Sequence, residues 1–156
     1  MKIRDLKNMP LFYRDRAQII GRVEKGVVGD DYRLLYIVVE MENGEMFIVD
    51  KKNFELGDDA VIIKDPDSIK SYQHGEDLSV YNKKLGDAVF SIEGRELGVV
   101  SDFIVSPDNK CIEAVEVSAG VLKDLIEGRR AYPIEQVVWK SEKSLLVEDQ
   151  QGGCQH

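Results

Sequence analysis

The chain has 156 residues, of which 43% are hydrophobic and 32% charged, a balance that suits a soluble globular protein and excludes a disordered one. Twenty-nine acidic residues against twenty-one basic ones give a net charge of −8, a field that repels phosphate backbones and argues against direct nucleic-acid binding. No stretch approaches the roughly eighteen uncharged apolar residues that a membrane helix needs, so no membrane insertion is expected.

In chain order, almost every apolar run is short, β-branched and bounded by turn residues, which favours strands over helices. Pro10–Arg14 reads as a first strand turned at Asp15-Arg16. Ile19–Val28 reads as a second, which Gly21 and Gly26 interrupt as bulges or bends do. Gly29-Asp30-Asp31 turns into Leu34–Glu40, whose near-continuous apolar character marks a buried strand. Asn43-Gly44, between Met41 and Met46-Phe47-Ile48-Val49, is a two-residue hairpin signal. Leu56-Gly57-Asp58 turns again before a last strand, Ala60–Ile63. Five short strands joined by tight turns predict a small barrel.

Residues 65–84 break the pattern. Pro66, Gly75 and scattered charges mark a linker, although Leu78, Val80 and Tyr81 predict that part of it packs down. The strands then resume. Ala88–Ser91 leads through Glu93-Gly94 into Leu97–Val105, and Ser106-Pro107-Asp108-Asn109 turns into Cys111–Val117. Val137–Trp139 and Leu145–Val147 close the run around a polar turn at Ser141–Lys143.

The second run repeats the first. Ile20-Gly21-Arg22-Val23 lies opposite Leu97-Gly98-Val99-Val100, Leu34–Val39 opposite Ile112–Val117, and Val61-Ile62-Ile63-Lys64-Asp65 opposite Leu145-Leu146-Val147-Glu148-Asp149. The same order of elements twice in one chain predicts one architecture built twice. Where the first run has the Asn43-Gly44 hairpin, the second has a longer insert from Ser118 to Arg130. Ser118 is placed to cap a helix of about two turns with Leu122, Leu125 and Ile126 on one apolar face, and Gly128 to end it. Tyr132-Pro133-Ile134 resumes an extended path.

At these residues the chain resembles the PRC-barrel family, the small β-barrel named after the cytoplasmic part of the photosynthetic reaction-centre H subunit. The matching stretches of a first copy are Leu6-Lys7-Asn8-Met9-Pro10-Leu11, Ile20-Gly21-Arg22-Val23 and Leu56-Gly57-Asp58-Asp59-Ala60-Val61. Those of a second are Gly86-Asp87-Ala88-Val89, Leu97-Gly98-Val99-Val100-Ser101-Asp102 and Tyr132-Pro133-Ile134-Glu135-Gln136-Val137. The most specific is Ser118-Ala119-Gly120 running into Asp124-Leu125-Ile126-Glu127-Gly128-Arg129. The resemblance implies an all-β protein of two tandem PRC-type barrels, each six-stranded and used for protein contacts, with a short helical insert in the second. The domains expected are residues 1–66 and 85–149, with a linker at 67–84 and a flexible tail at 150–156. One relative the family includes, a ribosome-maturation factor, docks its barrel on a ribosomal protein. The RNA-associated domain of that factor and the membrane helix of the reaction-centre subunit are not seen in this sequence.

No recognisable active site accompanies this pattern, and no enzyme is expected. There is no glycine-rich phosphate loop, the serines lack a nucleophile-elbow setting, and the two histidines, His74 and His156, lie in the linker and the tail. Cys111 reads as a small buried apolar residue of a strand. Cys154 with His156 supplies too few ligands for a metal site, and the pairs Asp30-Asp31 and Asp58-Asp59 read as solvated turn residues without calcium-loop spacing. Neither cofactor nor metal is expected. Two cysteines make no disulfide framework and Met1–Asp5 opens no secretory signal, so the cytoplasm is the compartment expected.

The interest lies in the insert. Asp124 with Arg129 or Arg130 forms either a pair that pins the insert to the barrel or, with Leu125, a partner-binding surface anchored by arginine. Trp139 reads as core or rim filler. The function expected is a non-enzymatic interaction or scaffolding protein, with a homodimer among its assemblies. One alternative is an accessory factor in ribosome or RNA maturation acting through a basic ribosomal protein. Residues 76–156, with 9 basic and 15 acidic against 12 and 14 in residues 1–75, would steer towards such a partner. The second alternative is a small-molecule or metal binder with a cleft between the barrels.

Overall fold

The computed structural model describes residues 1–72, 79–138 and 144–147. The chain divides into two compact units, one made of Met1–Val80 with Val105–Cys111, the other of Tyr81–Ile104 with Ile112–His156. The architecture is all-β, with one sheet per unit and a short helix in the second, in agreement with the sequence.

The strands of the first unit are β1 (Pro10–Tyr13), β2 (Gln18–Val28), β3 (Leu34–Met41), β4 (Met46–Asp50), β5 (Phe54–Leu56), β6 (Val61–Ile63) and β7 (Lys70–Ser71). They lie in the order β5-β6-β1-β2-β3-β4-β7. Helix α1 (Val80–Lys84) follows. The second unit has β8 (Ala88–Ser91), β9 (Glu96–Val105), β10 (Ile112–Ser118), helix α2 (Val121–Glu127), β11 (Arg130–Pro133), β12 (Val137–Val138) and β13 (Ser144–Val147). Its order, β12-β13-β8-β9-β10-β11, is that of the first unit without β7.

The registers agree as closely as the order. In the first unit Leu11 stands between Gly21 of antiparallel β2 and Val61 of parallel β6. In the second, Val89 stands between Gly98 of β9 and Leu145 of parallel β13. Leu11 and Val89 are both fully buried. The same backbone bridge precedes each strand: Asn8 and Val23 exchange bonds through Val23 and Met9 carbonyls at 2.8 Å, and Gly86 and Val100 do so through Val100 and Asp87 at 2.8 and 2.9 Å. The counterpart of Gly86-Asp87-Ala88-Val89 is therefore Asn8-Met9-Pro10-Leu11, while the similar string at Gly57 leads into β6.

Two readings of the glycines need correction. The bulges fall at Ile20 and Leu97, where the register slips beside Gly21 and Gly98, at Glu24, and at Leu35 on the facing strand. They do not fall on Gly21 or Gly26 themselves. Gly21 and Gly98 are required by close approach: a Cβ on Gly21 would lie 2.6 Å from the Glu40 carbonyl, and one on Gly98 would overlap the Ser118 carbonyl. Gly26 leaves room for Leu6 and Leu34, two fully buried side chains that a Cβ would meet at 2.8 and 2.9 Å. Cys111 also differs from its expected place. It is half-buried and forms only an isolated bridge with Arg33, so β10 begins one residue later.

The alternation of β8 and β13 puts Val89, Ser91, Leu145 and Val147 inside. Phe103, Val115 and Val117 complete that core with Tyr132 and Val137. Of the residues expected to pack down between the units, Val80 is buried and Tyr81 meets Phe103 edge-on with ring centres 5.4 Å apart. Leu78, His74, Trp139, the Ser141–Lys143 turn, Cys154 and His156 lie outside the described residues.

Candidate functional surface

The two units differ most where β10 meets β11. Asn43-Gly44 joins β3 to β4 in a tight turn, with Gly44 at φ +86° and its N–H donating to the Met41 carbonyl at 2.9 Å. The corresponding connection in the second unit leaves the sheet at Gly120 (φ +109°), runs through α2 and returns at Gly128 (φ +76°). Both glycines hold backbone that L side chains rarely adopt, so the helix starts and stops abruptly.

Ser118 does not cap this helix, contrary to the sequence expectation. The cap position is Gly120, which carries no side chain to accept a bond. Ser118 instead donates its hydroxyl to Asp124 Oδ2 at 2.6 Å, and the Ala119 N–H donates to Asp124 Oδ1 at 2.9 Å. The capping roles are exchanged: a carboxylate inside the helix reaches back to the strand end.

Asp124 also accepts from Arg129 Nε at 3.2 Å, and Arg129 Nη1 donates to Glu116 Oε1 at the same distance. Glu116 in turn accepts from Ser101 Oγ of β9 at 2.8 Å. Bonds from Ser118 and Ala119, with Arg129 adding to them, hold the Asp124 carboxyl below its ordinary range, against the opposing effect of desolvation. Arg129 is held above its ordinary value, chiefly by its bond to Glu116. The pair is charged at any pH near neutrality, and the arginine fork fits both carboxylates at once.

Of the two arginines the sequence offered to Asp124, Arg129 makes the pair, and Arg130 lies on β11, lining a groove of about 370 Å³. Lys123 and Glu127 of α2 form one wall of that groove, and Leu97, Val117 and Tyr132 lie among its other lining residues. Glu116 and Ser101 were not legible as members. The one signal for Glu116 is a charge between Val115 and Val117, which does not set it apart from Glu113 of the same strand, yet Glu113 is exposed and Glu116 only 4% exposed.

The consequence of this polar tether is a helix turned inside out. Asp124 is the one residue of α2 that is not exposed. Val121, Leu122, Leu125 and Ile126 are 79, 76, 78 and 81% exposed. An amphipathic helix ordinarily turns such a stripe to the core; here Asp124 alone is drawn to the strand end, Lys123 and Glu127 stay exposed, and the apolar face meets solvent. Burying an aliphatic side chain contributes about 1.5–3 kcal/mol, so the stripe leaves about 6–12 kcal/mol unrealised in this unit.

Among the described residues, no group of three or more His, Cys, Asp or Glu is placed to hold a metal ion, and no helix is long and apolar enough to cross a membrane. Residues 77–151 match the family model of the PRC-barrel domain. No curated protein matches the chain. The matched stretch contains β8 to β13, α2 and the Asp124–Arg129–Glu116 network, and this part of the chain is a PRC-barrel domain.

Proposed function

We propose that this chain is a non-enzymatic protein-interaction module in which α2 is the docking element. The observation that carries the reading is the outward stripe of α2, with four aliphatic side chains more than three-quarters exposed on a helix tethered by its polar face. Leu125 is the centre of the surface. Asp124 and Arg129 act as its mount, and Arg130 borders the adjoining groove. The equivalent order and register of the first unit support its being a second barrel of the same type, one that lacks the helix. The cytoplasm, as compartment, belongs to the same proposal.

Photo-crosslinking tests it. A benzophenone amino acid at position 125 is expected to give discrete protein adducts in cells. The same group at Glu42, in the plain hairpin of the first unit, is expected to give few. Equal labelling at both positions would remove α2 as the docking element.

A further inference from the structure

We infer that the occupant of the α2 stripe is the α2 stripe of a second copy of this chain, joined across a two-fold axis in a weak dimer. The inference rests on the docking reading above and specifies its partner. At 3.6 residues per turn, Val121, Leu122, Leu125 and Ile126 cover an arc of about 140°, while Lys123, Asp124 and Glu127 stand more than about 120° from its middle. The stripe is therefore a charge-free patch on a molecule of net charge −8.

That placement discriminates between occupants. A basic partner recognised by charge would need carboxylates around the stripe. Asp124 is turned to the sheet and bonded, Glu127 lines the groove on the opposite face, and the residues that follow the helix are Arg129 and Arg130. A second copy brings no charge to the contact, so two acidic molecules meet there without opposing carboxylates. The i, i+4 rows Val121–Leu125 and Leu122–Ile126 supply two apolar ridges, and an antiparallel copy fits its own ridges between them. A two-fold contact of this kind needs only one patch, complementary to itself.

Area sets the strength. Four such side chains present on the order of 500 Å² per copy, against about 800 Å² a side in a standard stable interface. The dimer is accordingly weak and not obligate. Its salt dependence is also fixed: screening relieves the mutual repulsion of two negative molecules, so salt tightens the dimer, whereas it loosens an acidic–basic pair.

Sedimentation of the full chain from about 1 to about 500 μM reads all of this. The wild type is expected to move from 17.7 kDa towards twice that mass and to do so more readily at higher salt. Leu125→Glu, which places a charge in both halves of the contact, is expected to weaken association by at least about a hundredfold at an unchanged melting temperature. A wild type that stays monomeric throughout, or a folded Leu125→Glu chain that dimerises like the wild type, would overturn the dimer. If the position-125 photoadduct is then with another protein, only the choice of partner fails. If there is no adduct, the docking reading fails with it.

Discussion

At the residue scale, the geometry of the surface depends on a carboxylate that works backwards along the chain. Asp124 is held low in pKa first by Ser118, then by Ala119, with Arg129 adding to both. A depressed acidic group stabilises above the ordinary aspartate range, and its contribution is lost as pH falls through the lowered value. Arg129, raised, contributes up to strongly alkaline pH. The tether of α2 is thus constant across neutrality and released only in acid, below the usual aspartate range. The Ala119 amide resonance followed against pH checks this; a transition near pH 6 would contradict it. Glu116→Gln keeps the shape but removes the charge facing Arg129. Because Arg129 is 37% exposed, the cost is expected to be about 1–2 kcal/mol by chemical denaturation. Gly98→Ala combines φ +142° with overlap on the Ser118 carbonyl and should cost about 3 kcal/mol or more. Gly94→Ala, at φ +84° in open space, should cost about 1 kcal/mol. The spacing of Asp124 and Arg129 was readable because one helical turn plus a glycine brings them together. Glu116 was not, because nothing local says that a strand glutamate is buried against an arginine thirteen residues on.

At the scale of elements, the long strands were visible because β-branched runs and turn residues agree on them. β5 and β7 have three and two residues, too short for an alternating pattern, and they exist because β6 and β4 offer them backbone partners. The helix was legible from Leu122, Leu125 and Ile126, but its orientation was not. Periodicity finds an apolar face and, by default, assigns it to the core; only the polar tether decides otherwise. A consequence follows for deletion. Replacing residues 119–129 by the four-residue turn Glu42–Glu45 removes no core side chain, since none of α2 is buried. The shortened chain, which also loses Arg129 opposite the buried Glu116, is expected to fold with stability lowered by about 1–3 kcal/mol and to lose association, which circular dichroism and sedimentation read together. Loss of the fold would show that α2 is structural.

For the whole molecule, a repeated order of elements was readable from paired strings such as Ile20-Gly21-Arg22-Val23 and Leu97-Gly98-Val99-Val100. The common sheet order shows how far the likeness extends: the same bulge, the same parallel closing strand and the same positive-φ residue before the first strand, Asn8 at +69° and Gly86 at +85°. On such matched frameworks α2 is a main point of difference between the units, which supports placing the proposed contact there. The most direct test is the stability of Leu122→Gln/Leu125→Gln/Ile126→Gln at a concentration where the wild type is monomeric. Glutamine keeps helix propensity, so the melting free energy is expected to match the wild type within about 0.5 kcal/mol. A loss of about 4 kcal/mol or more would mean that these side chains are packed inside the unit, and would contradict an outward docking helix.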